Sequence, residues 1–308
     1  MLKFSISAIV LALSLSPMVI HQDKTLRPEL ISLIESERAF SKLSVEKGVR
    51  HSFTEFFADE GLNFTPEPVN IKESFRKQPA PARPQPFTLS WEPVFADVSE
   101  AGDLGYTTGP FISVDNDRKN PSQHGYYFSV WKKQSDGSWK VLLDAGISTP
   151  SPSDSNQALP LKIARATGWK SVKRLNQSAE LTRLMNLDKQ MSEMSKRQGV
   201  VKAYRHYLFS ESRLHRNNLM PILNKESILS FLSKKQMKRI SFEPMNAVVA
   251  ESADLGYTYG KFELEESFPA GSTEQGYFAR VWKRDSRGNW KIVTEIVLPL
   301  ASDQKPGG

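Results

Sequence analysis

The chain carries one long passage twice, and this limits what it can fold into more than any other feature. Asp103-Leu104-Gly105-Tyr106-Thr107-Thr108-Gly109 returns as Asp254-Leu255-Gly256-Tyr257-Thr258-Tyr259-Gly260, about 151 positions later (254 minus 103). The same offset carries Ser90, Glu92 and Pro93 onto Ser241, Glu243 and Pro244. It also carries Gly125-Tyr126 onto Gly276-Tyr277, Val130-Trp131-Lys132 onto Val281-Trp282-Lys283, and Trp139-Lys140 onto Trp290-Lys291. About 22 of roughly 55 positions agree without a gap between 90 and 144. Solenoid units repeat at roughly 20–50 residues. A repeat this long is a duplicated globular domain, and 308 residues give each copy enough chain for its own core.

The first residues follow an export pattern. Lys3 precedes an apolar run from Phe4 to Leu15, too short to span a bilayer comfortably, and Ser14 and Ser16 have the spacing of a cleavage site, although Pro17 follows. The expectation is a signal segment at 1–21, a periplasmic or secreted protein, and no stable membrane span once the signal is removed. The chain has no cysteine, which excludes disulfides, thiolate metal sites and thiol nucleophiles. Its net charge of +7 is spread along the sequence. No basic run interleaved with aromatics points to nucleic acid.

Each copy opens with helical periodicity. Leu30, Leu33, Ile34, Glu37, Phe40 and Leu43 form one stripe that Gly48 stops; Leu184, Leu187, Met191 and Met194 form the other, stopped by Gly199. Short helices carrying Phe53, Phe56 and Phe57, or Tyr204, Tyr207 and Leu208, come next. Small helices are expected around Lys72–Phe75 and Lys225–Ile228. Strands are expected over Leu89–Ser99, Leu104–Val114, Gly125–Lys133 and Trp139–Ile147, with counterparts in the second copy and turn signals between them. Each copy is therefore α+β: helices packed on one face of a four-strand antiparallel meander. The domains fall at 26–149 and 178–300. A linker at 150–177 contains a basic stretch, Leu161–Arg174, expected as a helix that fits either an anion-binding role or a solvated connector. A disordered tail is expected at 301–308.

This order resembles the nuclear transport factor 2-like superfamily, in particular its SnoaL-like branch and related domains of unknown function. The resemblance rests on Glu37-Arg38-Ala39-Phe40, on Gly102 through Gly109, and on Trp131-Lys132 followed by Asp136-Gly137-Ser138-Trp139-Lys140-Val141. In the second copy it rests on Asp254 through Gly260, and on Trp282-Lys283 followed by Gly288-Asn289-Trp290-Lys291-Ile292. It implies two tandem cone-shaped domains, each a strongly curved sheet around helices with a pocket at the open end. It also implies pairing of the two copies through their sheets, an intrachain pseudo-dimer in a monomeric chain. The superfamily includes isomerases, cyclases, dehydratases and modules without chemistry. Many relatives carry His on the last strand; here that strand has none.

Candidate site residues follow from strand alternation. Glu92 falls in phase with Val94, Ala96 and Val98, and Glu243 with Met245, Ala247 and Val249. Each carboxylate then either faces a pocket, as a general base or polar anchor, or is turned outward by a bulge at Pro93 or Pro244. Asp144 and Glu295 correspond on the last strands. They fit either a carboxylate pair with Glu92 or Glu243, or a salt bridge to a basic residue on a neighbouring strand. Tyr106 and Tyr257 offer phenol donors, as Tyr does in ketosteroid isomerase-like relatives, and Tyr126 and Tyr277 are candidate ligand contacts; all four equally fit packing roles. Gly109 and Gly260 are expected to let a helix approach the sheet. None of the five histidines has metal-ligand spacing with another. Asp115-Asn116-Asp117 opens like a calcium loop but lacks the later Gly and Glu. No cofactor or metal is expected.

Three functions remain open on these grounds. The first is an exported module binding a small apolar ligand. The second is an isomerase, cyclase or hydratase moving a proton of a hydrophobic carbonyl compound through Glu92 or Asp144. The third is an interaction protein using Lys162–Arg174.

Overall fold

A computed structural model describes residues 27–79, 85–152, 159–169, 176–235, 237–266 and 272–300. The signal-like segment and the tail lie outside the described residues. The first copy runs α1 (Pro28–Lys47), α2 (Val49–Phe56), β1 (Phe57–Phe64), β2 (Pro68–Asn70), α3 (Ile71–Lys77), β3 (Phe87–Trp91), β4 (Phe95–Val98), β5 (Leu104–Asp115), β6 (Gln123–Lys133) and β7 (Trp139–Ser148). A two-residue strand β8 (Lys162–Ile163) follows. The second copy repeats the order: α4 (Gln177–Gln198), α5 (Val200–Tyr207), β9 (Leu208–His215), β10 (Ile222–Leu223), α6 (Lys225–Lys234), β11 (Met237–Val249), β12 (Leu255–Glu266), β13 (Thr273–Arg284) and β14 (Trp290–Pro299). Gly48 and Gly199 separate the two leading helices at the same φ of 87°, where L side chains are strained.

The meanders β5-β6-β7 and β12-β13-β14 are antiparallel, as the hairpin signals require. Each sheet also takes in a parallel strand beside its last one, β1 next to β7 and β9 next to β14. The basic stretch of the linker forms no helix within the described residues. Lys162 N–H donates to Val94 O at 2.9 Å and Ala164 N–H to Ala96 O at 3.1 Å, so the chain adds β8 in parallel to the edge of β4. That edge offers unpaired backbone groups, and Leu161 and Ile163 pack on the first core, which outweighs a solvated helical turn.

The strand expected at Leu89–Ser99 is split. Trp91 and Ala96 both face the helices although they are five positions apart, so alternation breaks between them. Ser41 of α1 fixes the break: its hydroxyl accepts from Trp91 N–H at 2.9 Å and donates to Trp91 O at 2.7 Å. Ser192 holds Phe242 in the same way in the second copy. The repeated glycines follow from this geometry. A Cβ on Gly109 would lie 1.9 Å from Glu92 O, and one on Gly260 2.0 Å from Glu243 O. These two glycines accommodate the kinked neighbouring strand, not a helix. Gly105 and Gly256 are the ones that admit a helix, with Leu33 and Leu184 side-chain atoms at 2.5 and 2.6 Å from the built Cβ. Because the obstacle at Gly109 is backbone, Gly109→Ala is expected to cost about 3 kcal/mol or more, read by urea denaturation. A loss under 1 kcal/mol would show that the kink is not fixed.

The other faces of the two sheets pack on each other. Phe128, Leu143 and Ile147 of one copy share a core with Ala250, Ala279 and Ile296 of the other. The contacts are reciprocal, as a two-fold arrangement demands. Glu100 N–H donates to Asp254 Oδ2 at 3.1 Å, and Glu251 N–H to Asp103 Oδ2 at 2.9 Å. Phe64 meets Tyr277 edge-on at 6.4 Å, and His215 meets Tyr126 edge-on at 6.3 Å. The Asp of the repeated motif therefore binds the opposite copy. A buried pair, Lys283 Nζ to Asp97 Oδ2 at 2.7 Å, also crosses between copies.

Candidate functional site

In the first copy a cavity of about 400 Å³ lies between the helices and the sheet. Phe40, Phe53, Ile71, Phe75, Leu89, Trp91 and Phe111 give it apolar walls. Asn63, Thr65, Ser74, Gln78, Tyr127 and Asp144 supply the polar groups. The walls come from α1, α2, α3 and the β1-to-α3 segment on one side, and from β3, β5, β6 and β7 on the other.

Asp144 sits on β7 directly opposite Ser129 of β6. The Ser129 hydroxyl donates to Asp144 Oδ1 at 2.5 Å. The part of Asp144 left exposed lines the cavity. Burial pushes its carboxyl up to about 8, the Ser129 bond opposes this, and the Glu37 charge adds to it. Glu37 lies behind the wall, 0% exposed. It accepts from Trp91 Nε1 at 2.5 Å, from Trp131 Nε1 at 2.9 Å and from the Thr107 hydroxyl. Burial raises it to about 7 against those three donors. Tyr127 completes the group. Its hydroxyl is buried near Thr107, whose own hydrogen is committed to Glu37, and it makes no hydrogen bond of regular geometry among the described residues. Burial holds this phenol well above its ordinary value.

The equivalent positions of the second copy are filled. Asn63, Thr65, Ser129 and Gly146 become Leu214, Arg216, Arg280 and Val297, and Tyr127 becomes Phe278. The Arg280 guanidinium, 0% exposed, donates to Asp188 Oδ1 at 2.7 Å and to Glu295 Oε2 at 2.5 Å. Glu295 also accepts from Arg216 at 2.6 Å and from the Tyr204 hydroxyl at 2.7 Å. Burial alone would raise Glu295, but the two guanidiniums outweigh it and hold the carboxyl below its ordinary value. The α6 helix presses Ile228, Leu229 and Leu232 into the same core, whereas Ile71 is the one buried residue of α3.

Of the sequence candidates, Asp144 alone lines the cavity. Glu92 lies outside it, its side chain 53% exposed and paired with Arg38 at 2.7 Å, because the kink at Pro93 turns it outward. No carboxylate pair of Glu92 with Asp144 forms. Glu243 is likewise exposed beyond the matching kink. Glu295 is in the salt bridge to a neighbouring strand described above. Tyr106 and Tyr257 are buried between the sheets, and Tyr126 and Tyr277 pack in the same interface. Strand phase explains this: Tyr127, Ser129 and Trp131 point to the helices, so Tyr126 points away. Ser129 and Tyr127 are absent from the sequence candidates, and Glu37 enters there only as part of the α1 stripe and of the motif that carries the resemblance, not as a site residue. The available signal was the set of positions at which the copies differ in size and charge. Among the described residues no group of three or more His, Asp or Glu could hold a metal ion.

No family model matches the chain. No curated protein matches it. Solved structures of nuclear transport factor 2-like proteins do. One, from Cytophaga hutchinsonii, is 16% identical, with the match covering 41% of this chain and 100% of that one at a TM-score of 0.33. A ketosteroid isomerase-like protein from Erwinia carotovora is 9% identical, covering 39% of this chain and 95% of that one at 0.34. A superfamily protein from Salmonella enterica is 7% identical, covering 43% and 99% at 0.33.

Proposed function

We propose that the first copy is a small-molecule-binding unit and that the second is its structural partner within the chain. The observation that carries this reading is the contrast at one position of the fold. A cavity of about 400 Å³ occurs in the first copy, and arginines, Leu214 and Val297 occupy the matching space in the second. The volume suits a small organic molecule with an apolar body and one or two polar groups. The reciprocal contacts between the sheets support a role for the second copy in covering the first, at an effective concentration no separate subunit would reach.

The test is a transplant. The variant Asn63→Leu, Thr65→Arg, Ser129→Arg and Gly146→Val carries the lining that the second copy already folds with. Wild-type protein is expected to bind the neutral dye prodan at one site per chain, with a blue shift of its emission. The transplanted variant should stay folded and lose at least ten-fold in affinity. Undiminished dye binding would refute the reading.

Asp144 supports a second reading, an enzyme acting on a hydrophobic carbonyl compound. A cavity carboxyl raised to about 8 can hold or accept a proton near neutral pH. Under this reading the chain accelerates exchange of the α-hydrogens of 2-tetralone with D2O, and Asp144→Asn abolishes the acceleration. Exchange at the buffer rate in wild type would dismiss it.

A further inference from the structure

We propose that the ligand of the first-copy cavity is an organic cation, held against Asp144, Trp91 and Tyr127, the counterparts of three of the residues that surround Arg280 in the second copy. This rests on the reading of that cavity as a binding site. The second copy serves as an internal template. There Arg280 bridges Asp188 and Glu295, and its guanidinium carbon stands 3.9 Å from the Phe242 ring centre and 4.8 Å from that of Phe278. Each of those four neighbours has a counterpart in the first copy: Glu37, Asp144, Trp91 and Tyr127. Trp and Tyr are cation hosts at least as good as Phe. What the first copy lacks is the cation. Ser129 replaces Arg280, Thr65 replaces Arg216, and no Lys or Arg among the described residues forms an ion pair with Glu37 or Asp144.

Glu37 is satisfied by three neutral donors behind the wall, whereas Asp144, which lines the cavity, has the Ser129 hydroxyl alone, and a carboxylate enclosed with one neutral donor is costly. The aromatic lining is a second, independent sign. Tyr127 and Trp91 both line the cavity, their ring centres 6.4 Å apart and edge-on, and they offer a cation the faces that Phe278 and Phe242 offer Arg280. An aromatic wall with an acid at its base is the general chemistry of organic-cation recognition. An anionic ligand would face Asp144 with no Lys or Arg among the lining residues to offset it.

The test compares benzylguanidinium with its neutral isostere benzylurea by calorimetry at pH 9, on the full chain. Benzylguanidinium is expected to bind at one site per chain and at least ten-fold tighter than benzylurea. In Asp144→Asn the ratio should fall to about one, with benzylurea binding retained. Ser129→Arg should supply an internal guanidinium and reduce benzylguanidinium binding at least ten-fold, which keeps the test decisive if Asp144→Asn misfolds. Benzylurea binding as tightly as benzylguanidinium would overturn the cation inference and leave the cavity reading intact. Binding of neither compound would overturn both. A ratio unchanged in Asp144→Asn, or binding unchanged in Ser129→Arg, would place cation recognition elsewhere and overturn the inference.

Discussion

Arg280→Met is expected to destabilise the protein by about 3–5 kcal/mol, the usual loss when one partner of a buried ion network is removed. The reason is local. Asp188 and Glu295 are both 0% exposed, and Arg280 is the side chain that touches both. Methionine fills part of the volume but leaves Asp188 with no cation and Glu295 with Arg216 alone. The core around them is apolar and includes Phe242, Phe278 and Trp282, so neither acid gains water in exchange. Urea denaturation followed by tryptophan fluorescence measures the loss, and a melting temperature roughly 10 °C lower should accompany it. A loss under 1 kcal/mol would mean that water reaches these acids and that the second copy is not filled.

The second large effect is a dependence on pH that originates in the first copy. Asp144 is raised to about 8 in the folded chain, against about 3.9 in the unfolded one. Between those values the folded state binds more protons, so stability falls as pH rises from about 4 to about 8 and then levels off. Glu37 acts in the same sense up to about 7. His215 acts oppositely at the acid end. Burial holds it neutral down to about 3, so its contribution is lost as pH falls below about 6.5. The cleanest observable is therefore the difference between Asp144→Asn and wild type. The variant should gain on wild type steadily from pH 5 to pH 8, by at most about 4 kcal/mol over those three units at about 1.4 kcal/mol per unit. A difference that does not change with pH would show that Asp144 is solvated and that the cavity is no dry site.

Much of the architecture was legible because the chain states it twice. Gly48 and Gly199 stop the leading helices at matching positions, and the strands from Leu104 to Ser148 begin and end within a few residues of their hydrophobic and turn signals. Less legible were features decided by tertiary contact. The split of the strand at Glu92 depends on Ser41, fifty positions away, gripping Trp91. The linker became a strand because β4 presented an open edge. The site suffered most from an error of one residue in phase. Tyr126 and Tyr127 are adjacent, equally strand-like, and on opposite faces. Alternation alone does not say which face meets the helices, since both faces of this sheet are buried, one under α1 and α2 and the other against the second sheet. Duplication held the missing information. Replacement of Ser129 and Thr65 by arginine in one copy marks where a side chain either fills a space or leaves it open.

The division of labour between the copies can be tested most directly by a crystal structure of the chain soaked in benzylguanidinium. The account predicts density for one molecule per chain, between Asp144, Trp91 and Tyr127, with the Arg280 network of the second copy undisturbed. A molecule bound in the second copy, or a first-copy cavity closed by its own side chains, would contradict it.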